Sequence, residues 1–275
     1  MLQRIITSIW ALAILVCVLI FSGTVVFPIA VAIISVIGIF EMLRCMQLHK
    51  KLSLALPMYL TAAVAPFLVR YLEHRLHAVL ILSICAIFYL LYLFALVIWS
   101  HGALSFEKAG TAFLVNLYIV VALNFIVYVR DFGDAGKYLY LLIFLGAWIT
   151  DTFAYFCGML FGKHKLIEDV SPKKTIEGSI GGTVFCAISF VVFGLIVSDT
   201  ANIWFLVICG LVVSVISQIG DLILSVIKRH YGIKDYGKVF PGHGGILDRF
   251  DSILAVSLGM AAICMFVTLT GVSLL

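Results

Sequence analysis

The chain has 275 residues, of which 64% are hydrophobic and 12% charged, with a formal net charge of +4 and a mean hydropathy of +1.20. That composition lies far outside the range of soluble domains, and apolar runs of about eighteen residues or more recur from end to end, so an integral membrane protein is indicated. Seven cysteines (17, 45, 85, 157, 186, 209 and 264) sit in apolar surroundings without a C-x-x-C pair and read as small core residues rather than disulfide or metal positions.

Only helices and closed barrels satisfy every backbone group in lipid, and these runs lack period-2 alternation, so an all-α polytopic protein is expected. Nine spans are predicted, at 5–22, 27–43, 54–72, 77–99, 109–129, 138–160, 179–197, 202–227 and 252–271. The first apolar stretch, Ile5 to about Phe21, leads into the second without an A-x-A-like site. It is therefore expected to be a span and not a cleaved signal peptide. No repeat, low-complexity tract or linker interrupts the series, so residues 1–275 are read as one transmembrane domain. Within it, 1–140 supply supporting helices, and 141–275 supply the catalytic helices and loops.

With nine spans, the N-terminus and the even-numbered loops share one face, and that face holds 14 of the 18 Lys and Arg. The bias places the N-terminus and the basic loops in the cytoplasm and the C-terminus outside, in the cell's plasma membrane. Topogenesis alone accounts for Lys50-Lys51, but not for acidic residues mixed into the later loops.

Two polar islands stand on the cytoplasmic face. The first, Gly162 to Gly182, reads GKHKLIEDVSPKKTIEGSIGG and follows a span that carries Asp151 deep in an apolar run. The second, Ser225 to Asp251, reads SVIKRHYGIKDYGKVFPGHGGILDRFD and follows a span carrying Ser214, Gln218, Asp221 and Ser225. Those four line a single helix face. A carboxylate at that depth is costly unless it faces a cavity, a partner or a metal, so Asp221 is a site candidate. Ser214 and Gln218 are explained equally well as a polar packing seam.

Asp248 and Asp251 are three apart at the start of the last span and project from one side of a turn. If the eighth and ninth spans are neighbours, Asp221 and Asp248 converge at the membrane surface. Carboxylates without a nearby His pair or Cys set suit a hard cation, Mg²⁺ above all. Asp251 has a second explanation, as a charge favoured at a helix N-terminus. Lys228, Arg229, Lys234, Lys238 and Arg249 supply positive charge, and the Pro241–Gly245 turn lets backbone N–H groups approach an anion. Lys173 and Lys174 repeat the theme in the first island, although either alone is explained by snorkelling. His243 is a candidate donor or base, though a structural His in a Gly turn is as common. Gly158 to His164 is one residue short of a P-loop and lacks its hydroxyl. Asn116, Asn124 and Glu41, next to Arg44, are weaker candidates, for which interhelical hydrogen bonds or a local ion pair suffice.

The stretch S-V-I-K-R-x4-K-D-Y-G-K-V-F-P-G-H-G-G-I-L-D-R-F-D resembles the signature of the phosphatidate cytidylyltransferases, or CDP-diacylglycerol synthases. D-T-F-A-Y-F-x-G, F-G-K-H-K and S-P-K-K-T-x-E-G are similar to a second block of that family, and with Gln218–Asp221 the likeness covers roughly the last 125 residues. The resemblance implies transfer of the cytidylyl group from CTP to phosphatidic acid, forming CDP-diacylglycerol and pyrophosphate for phospholipid biosynthesis. It implies Mg²⁺, with a second cation such as K⁺, on Asp221 and Asp248; Asp251 is a further metal candidate from its spacing alone. Lys173, Lys174, Lys228, Arg229 and Arg249 would hold the phosphates of CTP or of the lipid, and His243, Gly244 and Gly245 would shape the nucleotide pocket; Lys234, by its charge, and Ser225, by its place on the Asp221 face, are further substrate-binding candidates. A homodimer is implied as well, and no nucleic-acid partner.

Two other classes fit less well. An intramembrane aspartyl protease needs Gly at position 218 for its G-x-G-D motif, and Gln218 stands there. An anion transporter predicts charge on both faces or at the midplane, against the one-sided distribution here.

Overall fold

The structure, a computed structural model, describes residues 2–72, 75–240, 242, 244–272 and 274–275. A first group of helices comprises α1 (Leu2–Ile20), a 3-10 turn (Phe21–Gly23), α2 (Val26–Cys45), α3 (Leu52–Tyr71), α4 (Arg75–Trp99) and α5 (Phe106–Arg130). Then come α6 (Gly136–Phe161), a hairpin of β1 (Lys165–Ile167) and β2 (Ser171–Thr175), α7 (Ile176–Val197), α8 (Ile203–His230) and α9 (Leu247–Thr270). Each predicted span falls on one of these nine helices of the described residues. Among those residues, the eight helices α2 to α9 are long and apolar enough to cross a bilayer, and in α1 the apolar stretch is Ile9–Gly23. The protein is thus an all-α polytopic membrane protein apart from the hairpin.

The hairpin is absent from the helix-only reading. Its strands pair antiparallel, with Lys165 opposite Thr175 and Ile167 opposite Ser171. Ser171-Pro172 cannot continue a helix, and in a two-stranded ribbon the missing N–H of Pro172 falls where no ladder bond is required. All seven cysteines are free thiols; Cys45, Cys186, Cys209 and Cys264 are buried as expected of core residues, whereas Cys157 is half-buried and Cys17 and Cys85 are exposed.

The chain packs as two compact units, Met1–Val127 with Ile233–Arg249, and Tyr128–Gly232 with Phe250–Leu275. In the first unit, α3 contains Pro57 and Pro66. Pro57 has no N–H for the carbonyl of Ser53, and the Tyr92 hydroxyl of α4 donates to that oxygen instead at 3.1 Å. Tyr89 donates likewise to Leu54 O at 2.9 Å, so two phenols fasten α4 to α3. The outer surface of α4 is apolar and open, with Ile98 and Trp99 72% and 74% exposed, as suits side chains that meet lipid.

In the second unit, small residues bring the helices of the C-terminal half close together. A Cβ at Gly182 of α7 would sit 2.7 Å from Thr150 O of α6, so the two backbones approach as closely as they do only because position 182 has no side chain. Gly220 of α8 does the same against α9, where a Cβ would lie 3.0 Å from Asp251 O.

Candidate active site

The second unit gathers the charged residues of α6, the hairpin, α8 and α9. Its starting point is the close approach at Gly220, which sets the next residue of α8, Asp221, beside Asp251 of α9, within hydrogen-bonding reach. Asp251 Oδ1 also accepts the Ser252 N–H at 2.9 Å, and the Ser252 hydroxyl donates to Asp151 Oδ2 at 3.1 Å. Asp151 therefore belongs to the same carboxylate group, an assignment its position deep in an apolar run already hinted at.

The face predicted for α8 is present. Ser225 donates to Asp221 Oδ1 at 3.3 Å, and Lys228, one turn further on, acts electrostatically on both Asp221 and Asp251. One turn back, Gln218 bonds Ser214 Oγ (3.3 Å), Thr183 Oγ1 (3.1 Å) and the backbone carbonyl of Ser179 (3.3 Å) through its amide nitrogen, while its oxygen accepts from the Ser179 hydroxyl. The packing seam is thus real for Ser214 and Gln218, and its effect is to fix α7 against α8 just below Asp221.

Opposite this face stands the hairpin, held at its root by a single carboxylate. Glu177 accepts the N–H groups of Lys163 (3.1 Å) and His164 (3.2 Å) and contacts His164 Nδ1 at 2.6 Å. Thr175 caps α7 by accepting the Gly178 N–H at 3.2 Å. With both ends fastened, β2 presents Lys174, whose Nζ lies 2.5 Å from Asp221 Oδ2. The Arg229 guanidinium reaches the hairpin turn at Val170 O, 3.5 Å away.

A cavity of about 310 Å³ lies within this arrangement. One wall is polar, with Asp151, Lys173, Lys174, Ser179, Gln218 and Asp221, and the other carries Tyr155, Met159 and Leu166. Tyr155 and Met159 are 66% and 61% exposed, so the apolar wall is continuous with the outer surface of α6. This volume is at the lower end for small-ligand sites.

The first unit holds the other predicted residues, Lys234, Gly244, Gly245, Asp248 and Arg249, while His243 lies outside the described residues. Asp248 Oδ2 accepts the N–H groups of Tyr236 (2.8 Å) and Gly245 (2.9 Å). Glu41 of α2, buried to 1% exposure, accepts Ile246 N–H on one oxygen (3.0 Å) and Leu247 N–H on the other (2.9 Å). These bonds satisfy donors that a helix N-terminus leaves open, and they explain why α9 begins at Leu247 and not at 252. With that start, the acidic residue of the first turn is Asp248, and the helix-end explanation considered for Asp251 passes to it. Arg44 completes the contact by donating to Tyr236 O at 2.6 Å. Of the two explanations offered for Glu41, hydrogen bonds to another part of the chain are present, and the charge of Arg44 acts on Glu41 while both residues grip one loop. Lys234, Lys238 and Arg249 are exposed.

Apolar spans around a pocket of carboxylates and lysines define a polytopic membrane protein whose site suits a phosphate-bearing ligand and a hard cation. The chain belongs to the cytidylyltransferase family, whose model matches residues 2–267. The phosphatidate cytidylyltransferase of Bacillus subtilis is 34% identical over 260 residues, 92% of this chain and 94% of that protein. Those of Staphylococcus haemolyticus and Staphylococcus aureus are each 42% identical, over 163 and 158 residues, 58% and 57% of this chain. The matched stretch spans 62% and 59% of the length of these two staphylococcal relatives.

Proposed function

We propose that the chain transfers the cytidylyl group of CTP to phosphatidic acid, as the names of its relatives state for them. A phosphate oxygen of phosphatidic acid bonds to the α-phosphorus of CTP, the bond from that phosphorus to the bridging oxygen breaks, and pyrophosphate leaves with the electron pair. The attacking phosphate is already an anion at neutral pH, so the reaction asks for charge neutralisation and in-line placement more than for a base. The observation that carries this reading is the cluster of Asp221, Asp251, Lys174 and Lys228, of which Asp221 and Lys174 line a cavity with one polar and one apolar wall. The polar wall suits the phosphates, and the apolar wall suits the glycerol backbone of a lipid whose acyl chains stay in the bilayer.

The same residues fit Mg²⁺. Asp151, Asp221 and Asp251 are formally balanced by Lys173, Lys174 and Lys228, so the negative charge of an arriving phosphate needs a cation from outside. No group of three or more His, Cys, Asp or Glu with metal-holding geometry occurs among the described residues. Asp221 and Asp251 would therefore hold the ion together with substrate phosphate oxygens and water, the usual manner for Mg²⁺. When bound, such an ion neutralises charge on the attacking and leaving oxygens. Lys173, Lys174 and Lys228 hold phosphate oxygens, Arg229 braces the hairpin turn, Lys234 adds charge from the loop before α9, and Arg249 adds charge from the first turn of α9.

The reading extends to Asp248 as a further metal carboxylate, to K⁺ as a second cation and to a homodimer. It also includes the plasma membrane as location, with the N-terminus and basic loops cytoplasmic and the C-terminus outside. The direct test is release of pyrophosphate by the purified protein from labelled CTP. Release that requires both phosphatidic acid and Mg²⁺ is expected; no release, or release indifferent to the lipid, would refute the reading.

A further inference from the structure

The loop from Ile233 to Ile246 carries Lys234 and Lys238 and leads into α9 at Leu247, and its described residues form no regular element beyond an isolated bridge between Phe240 and Gly244. Its backbone, with the first residue of α9, is nevertheless held at four described points. The Tyr236 carbonyl takes the Arg44 guanidinium, the Tyr236 and Gly245 N–H groups go to Asp248, and the Ile246 and Leu247 N–H groups go to Glu41. Three of these five bonds come from the last two turns of α2, some two hundred residues away in sequence.

A second observation points the same way. A Cβ on either Gly237 or Gly245 would collide with the Glu41 carboxylate. Two glycines of the loop thus lack side chains because one glutamate fills the space, and the fit is mutual. Glu41 is buried in a chain where a lone carboxylate is costly, and the cost is offset by the backbone donors it collects and by the charge of Arg44. Of the Pro241–Gly245 turn that the sequence suggested as an anion cradle, the Gly245 N–H is taken by Asp248, and the Ile246 and Leu247 N–H groups that follow it are taken by Glu41.

We propose that Glu41 and Arg44 are positioning residues for CTP binding, ordering the backbone of this loop and with it the exposed cations Lys234 and Lys238. Neither touches substrate in this assignment; both act through the loop backbone. The proposal rests on the cytidylyl-transfer reading for its kinetics, but its structural half is measurable without any turnover.

Arg44 is exposed, so Arg44→Met tests the idea without disturbing the buried core, and Glu41→Gln serves as the stronger variant. Amide hydrogen exchange by mass spectrometry on the purified wild type and variants reads the loop directly. Faster exchange confined to the 233–247 segment is expected for both. Steady-state kinetics should show the apparent KM for CTP raised roughly tenfold in Arg44→Met, the size expected for one charge-assisted bond lost. The KM for phosphatidic acid should stay at the wild-type value, and Arg44→Lys, which keeps a donor, should recover part of the CTP affinity. Unchanged exchange in Arg44→Met overturns the proposal, and so does faster exchange with wild-type KM for CTP. A wild type that exchanges normally but does not turn over CTP counts against the proposed function, and the exchange result still judges the grip of α2 on the loop.

Discussion

Lys174 Nζ lies 2.5 Å from Asp221 Oδ2, joining β2 of the hairpin to the C-terminal half of α8. Both side chains are 24% exposed, so the pair is shielded from solvent yet open to the cavity it lines. Lys174 has no freedom to take this position except through the fastening of the hairpin at Glu177 and Thr175, and Asp221 none except through the contact at Gly220.

Removing either partner should therefore strike turnover rather than folding. Asp221→Asn and Lys174→Met are each expected to lower kcat/KM for cytidylyl transfer by on the order of 10²- to 10³-fold, the range seen when one electrostatic group is taken from a preorganised site. The amount of protein extracted in detergent and its elution volume should match wild type. Near-wild-type turnover in both variants would remove the pair from the site.

Gly220 makes a sharper structural prediction. A Cβ there meets Asp251 O at 3.0 Å and the Ala255 side chain closer still, so Gly220→Ala must push α8 and α9 apart where Asp221 and Asp251 meet. The expected cost is about 1–3 kcal/mol in stability, as for other overpacked contacts. A loss of activity should accompany it even at temperatures where the variant is fully folded. Thermal unfolding and turnover measured on the same preparation check both parts.

Gln218 separates packing from chemistry. Gln218→Leu takes the acceptor from the Ser179 hydroxyl, while Ser214 still donates to Thr183 and Thr183 to the Ser179 carbonyl, and a buried polar group left without its partner costs about 1–3 kcal/mol. A clearly lowered unfolding midpoint is expected, with the Mg²⁺ dependence of the remaining activity unchanged. A shifted Mg²⁺ dependence would mean that Gln218 takes part in ion binding.

For Asp248, substitution by Asn keeps an oxygen for the Tyr236 and Gly245 N–H groups and removes only the charge. If Asp248 holds a cation, Asp248→Asn should reduce turnover roughly 10²-fold while the loop's hydrogen exchange stays at the wild-type level. If its work is confined to the loop, both quantities stay near wild type.

The helices were legible because lipid leaves the backbone few choices: an apolar run of the right length must satisfy its own hydrogen bonds. Asp221 was legible for a related reason, as a carboxylate where none is cheap, and Ser214, Gln218 and Ser225 followed from helical spacing. The role of Glu41 was not, because a residue that caps a helix two hundred positions later leaves no local signature; its neighbour Arg44 offered a simpler ion pair. The hairpin was hidden by its shortness and by Pro172, which reads as a break and not as a strand. The pairing of Asp221 with Asp251 depends on where α8 crosses α9, and Gly220 announces that crossing only once the partner helix is known.

The central claim is that Asp221 and Asp251 hold the divalent ion that brings two phosphates together. Mn²⁺ as a paramagnetic stand-in for Mg²⁺, titrated into the purified protein with CTP and followed by electron paramagnetic resonance, tests it directly. The account predicts a bound Mn²⁺ signal in wild type that is strongly weakened in both Asp221→Asn and Asp251→Asn. Wild-type Mn²⁺ binding in both variants would contradict it.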